Sequence, residues 1–167
     1  MKKTINAILY TVVLGVFPIL AEGTLYFEEP ADFNPTIEAS GCFVQYEDKI
    51  LLLHRQDHKP EGNAWGAPGG KLDPYETPKD AVIRETYEET GLLIEDDKVE
   101  YLGDVYYQNE NSEVLFHLFR GRIAENPEEV KISFDEHKGF TWVKPQDALQ
   151  MNLMNGEDQI IEKIYLQ

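Results

Sequence analysis

The chain has 167 residues, 42% of them apolar and 11% aromatic, which suits one domain with a real core and excludes wholesale disorder. Its 31 acidic and 15 basic residues give a net charge of −16, which opposes a broad surface for binding long nucleic acids. A small phosphorylated ligand is the better partner, and beside so acidic a protein it requires a cation.

Residues 1–23 have the outline of a signal peptide. Lys2 and Lys3 precede a nearly uncharged run from Ile5 to Leu20, and the small residues Ala21 and Gly23 follow near a plausible cleavage region. The run is marginal in length for a spanning helix. Export or membrane attachment through residues 1–23 is expected. The alternatives are a buried hydrophobic extension, or translation that begins near Leu20 and leaves a cytosolic protein.

The rest of the chain, residues 34–167, is expected to form one domain of strands and helices. Alternating and continuous apolar runs predict strands at Ile37 to Gln45, Lys49 to His54, Val99 to Gln108, Val114 to Arg122 and Phe140 to Val143. The first two and the next two of these strands are each joined by a short turn, as in a hairpin. Helical spacing predicts helices at Pro145 to Met151 and Gly156 to Tyr165.

The sequence predicts a further helix between residues 77 and 91. Thr77 is a suitable N-terminal cap, Pro78 suits the first helical position, and Asp80 is placed to complete a capping box. Gly91 provides the stop. Before this helix, the pair Gly69-Gly70 predicts a tight turn whose main chain is open to a ligand or a metal.

This helix carries three carboxylates on one face. Glu85, Glu88 and Glu89 stand at i, i+3 and i+4, a spacing at which like charges destabilise a helix. A divalent cation would offset the repulsion, and oxygen ligands without histidine or cysteine favour Mg²⁺ or Mn²⁺ over zinc. The alternative is a solvated acidic face without function.

At these positions the chain resembles the Nudix family. Its box, GX5EX7REUXEEXGU with U an aliphatic residue, is matched from Gly70 to Leu92, although Thr86 occupies an aliphatic position and Tyr75 replaces a glycine common in the loop. The resemblance implies an α/β/α sandwich with a mixed central sheet and an acidic catalytic helix. It also implies hydrolysis of a nucleoside diphosphate linked to another group, by attack of water on phosphorus.

The resemblance also implies roles for individual residues. Metal ligands are expected at Glu85, Glu88, Glu89 and the carbonyl of Gly69, with Glu88 also an activator of the attacking water. Arg84 would orient the carboxylates, while Glu76 and Gly70 would support them. Together with Glu85, Glu88 and Arg84, the expected catalytic set includes a general base from outside the box. Glu136 is the first choice for that base, and Glu113 and His137 are alternatives.

Substrate contacts are expected from Arg55 and Lys71, near the phosphates, and from Trp65, which either stacks on a base or packs in the core. The signatures of the ADP-ribose, NADH and coenzyme A subfamilies are absent, and Tyr106 and Tyr107 lie near but not on the tyrosine position of the dinucleoside polyphosphate subfamily. A MutT-like nucleoside triphosphate pyrophosphohydrolase is therefore favoured. Nucleotide sugars or dinucleoside polyphosphates as substrates, and a non-catalytic nucleotide-sensing module, are the alternatives.

Overall fold

The computed structural model describes residues 23–124 and 130–167. The signal-like segment lies outside these ranges except for Gly23. In the part of the chain that is described, no helix has the length and apolar character needed to cross a membrane.

Within these ranges the strands form one mixed sheet of eight members. They are β1 (Thr24–Tyr26), β2 (Ile37–Tyr46), β3 (Lys49–Arg55), β4 (Trp65–Gly66), β5 (Gly69–Lys71), β6 (Val99–Gln108), β7 (Glu113–Arg122) and β8 (His137–Val143). The order is β1-β6-β7-β2-β3-β4, with β5 also paired to β2 and β8 also paired to β3. The β2–β7 pair is parallel and the other pairs are antiparallel.

Helices cover both faces of this sheet. They are α1 (Pro78–Thr90), α2 (Pro145–Ala148) and α3 (Glu157–Tyr165), with a 3₁₀ turn at Asp96–Lys98. Side chains of a strand alternate between faces. Accordingly Cys42 and Val44 of β2 pack with Val82 of α1, whereas Phe43, between them, packs with Ile161 of α3. The expected α/β/α sandwich with a mixed central sheet is confirmed.

The N-terminus of α1 is capped as the sequence predicts. The hydroxyl of Thr77 accepts the backbone N–H of Asp80 at 3.2 Å and donates to the Asp80 carboxylate at 2.6 Å. The contact from Asp80 goes to the Thr77 hydroxyl rather than to its backbone, so the capping box is incomplete. At the other end, Gly91 adopts φ 70° and donates its N–H to the carbonyl of Tyr87.

We expect Thr77→Ala to lower the free energy of unfolding by about 1 kcal/mol, because the N–H of Asp80 loses its acceptor. Urea denaturation followed by circular dichroism measures this loss. Thr77→Ser keeps the hydroxyl and should stay within about 0.5 kcal/mol of the wild type. Equal losses in both variants would show that the threonine methyl group, and not the cap, stabilises this end of α1.

Most predicted elements are confirmed, including both strand pairs and the two C-terminal helices. The structure corrects several boundaries: β8 begins at His137 rather than Phe140, α2 ends at Ala148 rather than Met151, and α3 begins at Glu157. The strand β1 was not predicted. Its three residues pair with Gln108, Tyr107 and Tyr106 of β6, so the sheet includes chain that precedes residue 34.

Candidate functional site

The glycine pair before α1 lies in a strand, which corrects the predicted turn. Gly69 and Gly70 belong to β5 and face Gly41 and Ser40 of β2. Neither has the positive φ that a glycine turn would need. They are required for close approach instead: a Cβ on Gly69 would lie 2.3 Å from the carbonyl oxygen of Ser40, and one on Gly70 would lie 2.3 Å from Cδ of Glu85.

Glu89 is held at both carboxylate oxygens. Its Oε2 accepts the backbone N–H of Gly69 at 2.9 Å, and its Oε1 lies 2.9 Å from Nε2 of His137. Glu89 and His137 are both buried. A buried carboxylate with both oxygens in contact with fixed groups has one defined orientation. The α1 helix and β5 therefore present this side chain rigidly.

Arg84 connects the carboxylates of the box. Its Nε and Nη2 donate to the two oxygens of Glu76 at 2.8 and 2.7 Å, a bidentate pair, and its Nη1 donates to Glu85 at 2.7 Å. Its Nη2 also donates to the carbonyl of Lys71 at 3.2 Å, and Glu88 lies 3.4 Å from Nη1. The hydrogen bonds from Arg84 hold the pKa of Glu76 below its usual range.

The negative charge of this group is only partly neutralised. Burial raises the pKa of Glu85 to about 7, and repulsion from Glu89 and Glu88 adds to that effect while Arg84 opposes it. Glu88 is largely exposed at the edge of the group. A hard divalent cation would relieve the repulsion, and the available donors are all oxygens. The donor set therefore fits Mg²⁺ or Mn²⁺.

These ligands are not fully assembled. Within residues 23–124 and 130–167, no three His, Cys, Asp or Glu side chains converge as a complete metal cage. The reason is local: Arg84 takes one oxygen of Glu85, and both oxygens of Glu89 have protein partners. Phosphate oxygens of a substrate commonly complete such partial ligand sets.

The candidates for a general base have different surroundings. Glu136 forms an ion pair with Lys59 and lies 3.7 Å from Nη1 of Arg55. Glu113 accepts hydrogen bonds from the backbone of Asn34 and the side chain of Gln108. Of the three candidates, His137 contacts a residue of the box, because its Nε2 lies 2.9 Å from Oε1 of Glu89.

From the sequence, His137 was predicted as an alternative general base, but its contact with Glu89 was not predicted. Residues 89 and 137 are 48 positions apart, and no local pattern signals their meeting. The fold brings them together because β8 pairs with β3, where His137 faces Arg55, while α1 lies against β5 and β2.

The three expected substrate residues have different surroundings. Arg55 is buried, and its Nε donates to the carbonyl of Pro60 at 2.8 Å. Lys71 ends β5 beside Gly70. Trp65 is half-buried, stacks on His54 with ring centroids 4.2 Å apart, and packs with the α3-side core. Packing is therefore what the structure shows for Trp65.

An apolar cavity of about 80 Å³ opens beside Gly69, on the sheet face opposite α1. Phe43, Phe116, Leu118 and Ile160 contribute its apolar walls, and Arg55, Glu61 and Glu157 contribute its polar groups. A larger groove of about 430 Å³ adjoins it and shares four lining residues with it, namely Leu25, Tyr107, Met154 and Asn155. The larger groove contacts no residue of the Gly70 to Leu92 box, whereas the smaller cavity reaches Gly69.

Comparisons with known proteins agree with this geometry. The model of the NUDIX domain matches residues 35–164. The CTP pyrophosphohydrolase of Escherichia coli is 29% identical over 75% of this chain and 89% of its own length. A MutT NUDIX hydrolase from Burkholderia pseudomallei superimposes with a TM-score of 0.67 at 25% identity, over 77% of this chain and 97% of that one.

A third protein shows that substrates differ among these similar structures. An Ap4A hydrolase from Caenorhabditis elegans has a TM-score of 0.56 and 26% identity, covering 78% of this chain and 96% of its own. Its named substrate differs from that of the bacterial CTP pyrophosphohydrolase. What the proteins share is the family. The chain belongs to the Nudix family and is a hydrolase of pyrophosphate bonds in nucleoside diphosphate derivatives.

Proposed function

We propose that the protein is a Mg²⁺-dependent, MutT-like pyrophosphohydrolase that cleaves a nucleoside triphosphate to the monophosphate and pyrophosphate. The main support for this proposal is the position of Gly69. It lines the apolar cavity, and its backbone N–H donates to Glu89. A nucleotide whose base enters the cavity would therefore direct its phosphates along β5 toward the carboxylates of α1. A single small nucleotide spans both features.

The residues of the box then have separate tasks. Glu85, Glu88, Glu89 and the carbonyl of Gly69 would hold the cation, which neutralises phosphate charge and lowers the pKa of water when it is bound. Arg84 keeps Glu85 and Glu76 in place through its fork of hydrogen bonds. Gly69 and His137 keep Glu89 in place. Positioning of this kind supplies much of the acceleration in phosphoryl transfer.

The proton of the attacking water requires an acceptor. Glu88 is suited to this role because it is the most exposed of Glu85, Glu88 and Glu89 and has only a 3.4 Å contact with Arg84. Glu136 remains the proposed base from outside the box. Its Oε1 is paired with Lys59, so Oε2, which lies 3.7 Å from Nη1 of Arg55, is the oxygen that would take the proton.

The test is a panel of nucleoside triphosphates, nucleotide sugars and dinucleoside polyphosphates, incubated with the full chain and Mg²⁺ or Mn²⁺. We expect pyrophosphate and a nucleoside monophosphate from triphosphates, and no release in EDTA. Release of orthophosphate alone, or turnover confined to nucleotide sugars or dinucleoside polyphosphates, would reject the MutT-like assignment.

A second measurement on the same panel distinguishes an enzyme from a non-catalytic nucleotide-sensing module. Isothermal titration calorimetry reports nucleotide binding whether or not turnover occurs. Tight binding of one nucleotide class without any hydrolysis would support the module and reject catalysis by this chain.

A further inference from the structure

The main chain at Glu136 is held between α1 and the loop that joins β3 to β4. The N–H of Glu136 donates to the carbonyl of Ser133 at 3.0 Å, and the N–H of Ser133 donates to the carbonyl of Glu89 at 3.1 Å. On the other side, the carbonyl of Glu136 accepts the N–H of Gln56 at 2.9 Å. These hydrogen bonds fix the Glu136 backbone relative to the acidic helix.

The side chain of Gln56 strengthens this attachment. Its Nε2 donates to the carbonyl of Phe134 at 2.8 Å and to the carbonyl of His137 at 3.4 Å. His137 follows Glu136 in the chain, and its Nε2 lies 2.9 Å from Oε1 of Glu89. Because the backbone is tied on both sides, the carboxylate of Glu136 changes position only by rotation about its side-chain bonds.

Lys59 restricts that rotation. Its ammonium group forms an ion pair with Oε1 of Glu136. The side chain of Lys59 is 13% exposed and that of Glu136 is 20% exposed, so the pair is largely shielded from solvent. Exposed ion pairs restrict their side chains little, whereas a shielded, charge-assisted hydrogen bond holds a carboxylate in one orientation.

The pairing at Oε1 also gives the second oxygen a defined place. Oε2 of Glu136 lies 3.7 Å from Nη1 of Arg55, which is beyond hydrogen-bond distance. Arg55 is itself fixed, because it is 2% exposed and its Nε donates to the carbonyl of Pro60 at 2.8 Å. Oε2 therefore has a set direction, which a proton acceptor in catalysis requires.

We propose that Lys59 is a positioning residue for catalysis, which holds Oε1 of Glu136 so that Oε2 accepts the proton of the attacking water. The water oxygen forms a bond to phosphorus, its proton moves to Oε2, and the bond from phosphorus to the leaving phosphate oxygen breaks. This inference rests on the proposed function, because it takes Glu136 as the general base. It holds for whichever nucleotide the enzyme hydrolyses.

Lys59→Met and Lys59→Arg test this role. Methionine keeps an apolar stem but removes the cation, whereas arginine keeps the cation. We expect Lys59→Met to lower kcat by about tenfold or more, with KM within about threefold of the wild type, because the lost orientation matters only in the transition state. Lys59→Arg should restore kcat to within about threefold. Lys98→Met is the matched control and should behave as the wild type, since Lys98 forms an exposed ion pair with Asp97.

A double-mutant cycle separates positioning from a purely structural role. Glu136→Gln alone should lower kcat by about 100-fold, and its amide oxygen still accepts a hydrogen bond from Lys59. If Lys59 acts through Glu136, adding Lys59→Met to Glu136→Gln should change kcat by less than about twofold. A lysine that only supports the loop would lower kcat by the same factor in both backgrounds.

Three results would overturn the inference: an unchanged kcat in Lys59→Met, a loss that Lys59→Arg does not restore, or an equal loss in both backgrounds of the cycle. A wild-type kcat in Glu136→Gln would reject the base and its positioning residue together. Failure of the MutT-like assignment is distinguishable, because it shows in the products that the wild type releases and not in the kcat of the variants. The cycle is then measured on the nucleotide that the wild type does hydrolyse.

Discussion

Glu89→Gln is expected to lower kcat by at least about 100-fold while leaving the fold intact. The glutamine can keep both contacts of Glu89. Its carbonyl oxygen can accept the N–H of Gly69, and its amide can donate to His137, since a neutral imidazole can present either a proton or a lone pair at Nε2. The substitution thus removes one negative charge and little else.

Steady-state hydrolysis with Mg²⁺ and thermal unfolding, measured on the same preparation, check this expectation. Glu95→Gln is the matched control, because Glu95 is an exposed acid outside the box, and it should behave as the wild type. If Glu89→Gln retained kcat within a few fold, Glu89 would not hold the metal. A lowered unfolding midpoint together with lost activity would instead show that Glu89 acts through packing.

The sequence predicted the acidic helix because its signals are local. Thr77, Pro78 and Gly91 define the two ends of α1, and the i, i+3, i+4 spacing places the carboxylates on one face. The box also explains one odd residue. Tyr75 stands where the family commonly has glycine, and it adopts φ of 70°, which is a conformation that glycine takes without strain.

The contacts that complete the site depend on long-range pairing, which local patterns do not encode. His137 reaches Glu89 across 48 residues, and Glu157 reaches Ala67 across 90. The prediction for the glycine pair was wrong for the same reason. A GG dipeptide suggests a turn. Here, however, the residues that leave no room for a side chain are Ser40 of β2 and Glu85 of α1.

The same substitution at the two adjacent positions Gly69 and Gly70 is expected to have opposite consequences. A Cβ on Gly70 meets the end of the flexible Glu85 side chain at 2.3 to 2.6 Å, so Glu85 can move away at little cost to the fold. A Cβ on Gly69 meets the main chain instead, 2.3 Å from O of Ser40 and 2.8 Å from Cα of Gly41. The strands β2 and β5 would have to separate.

We therefore expect Gly70→Ala to lower kcat/KM by about 100-fold, since it displaces a proposed metal ligand by an ångström or more, while its free energy of unfolding changes by less than about 1 kcal/mol. Gly69→Ala should lose stability by more than about 2 kcal/mol. Gly139→Ala is the control, because its nearest neighbour, Cβ of His54, lies 3.8 Å away. Urea denaturation and initial rates separate the three variants. Parallel losses of activity and stability in Gly70→Ala would mean that the contact with Glu85 serves the fold rather than the chemistry.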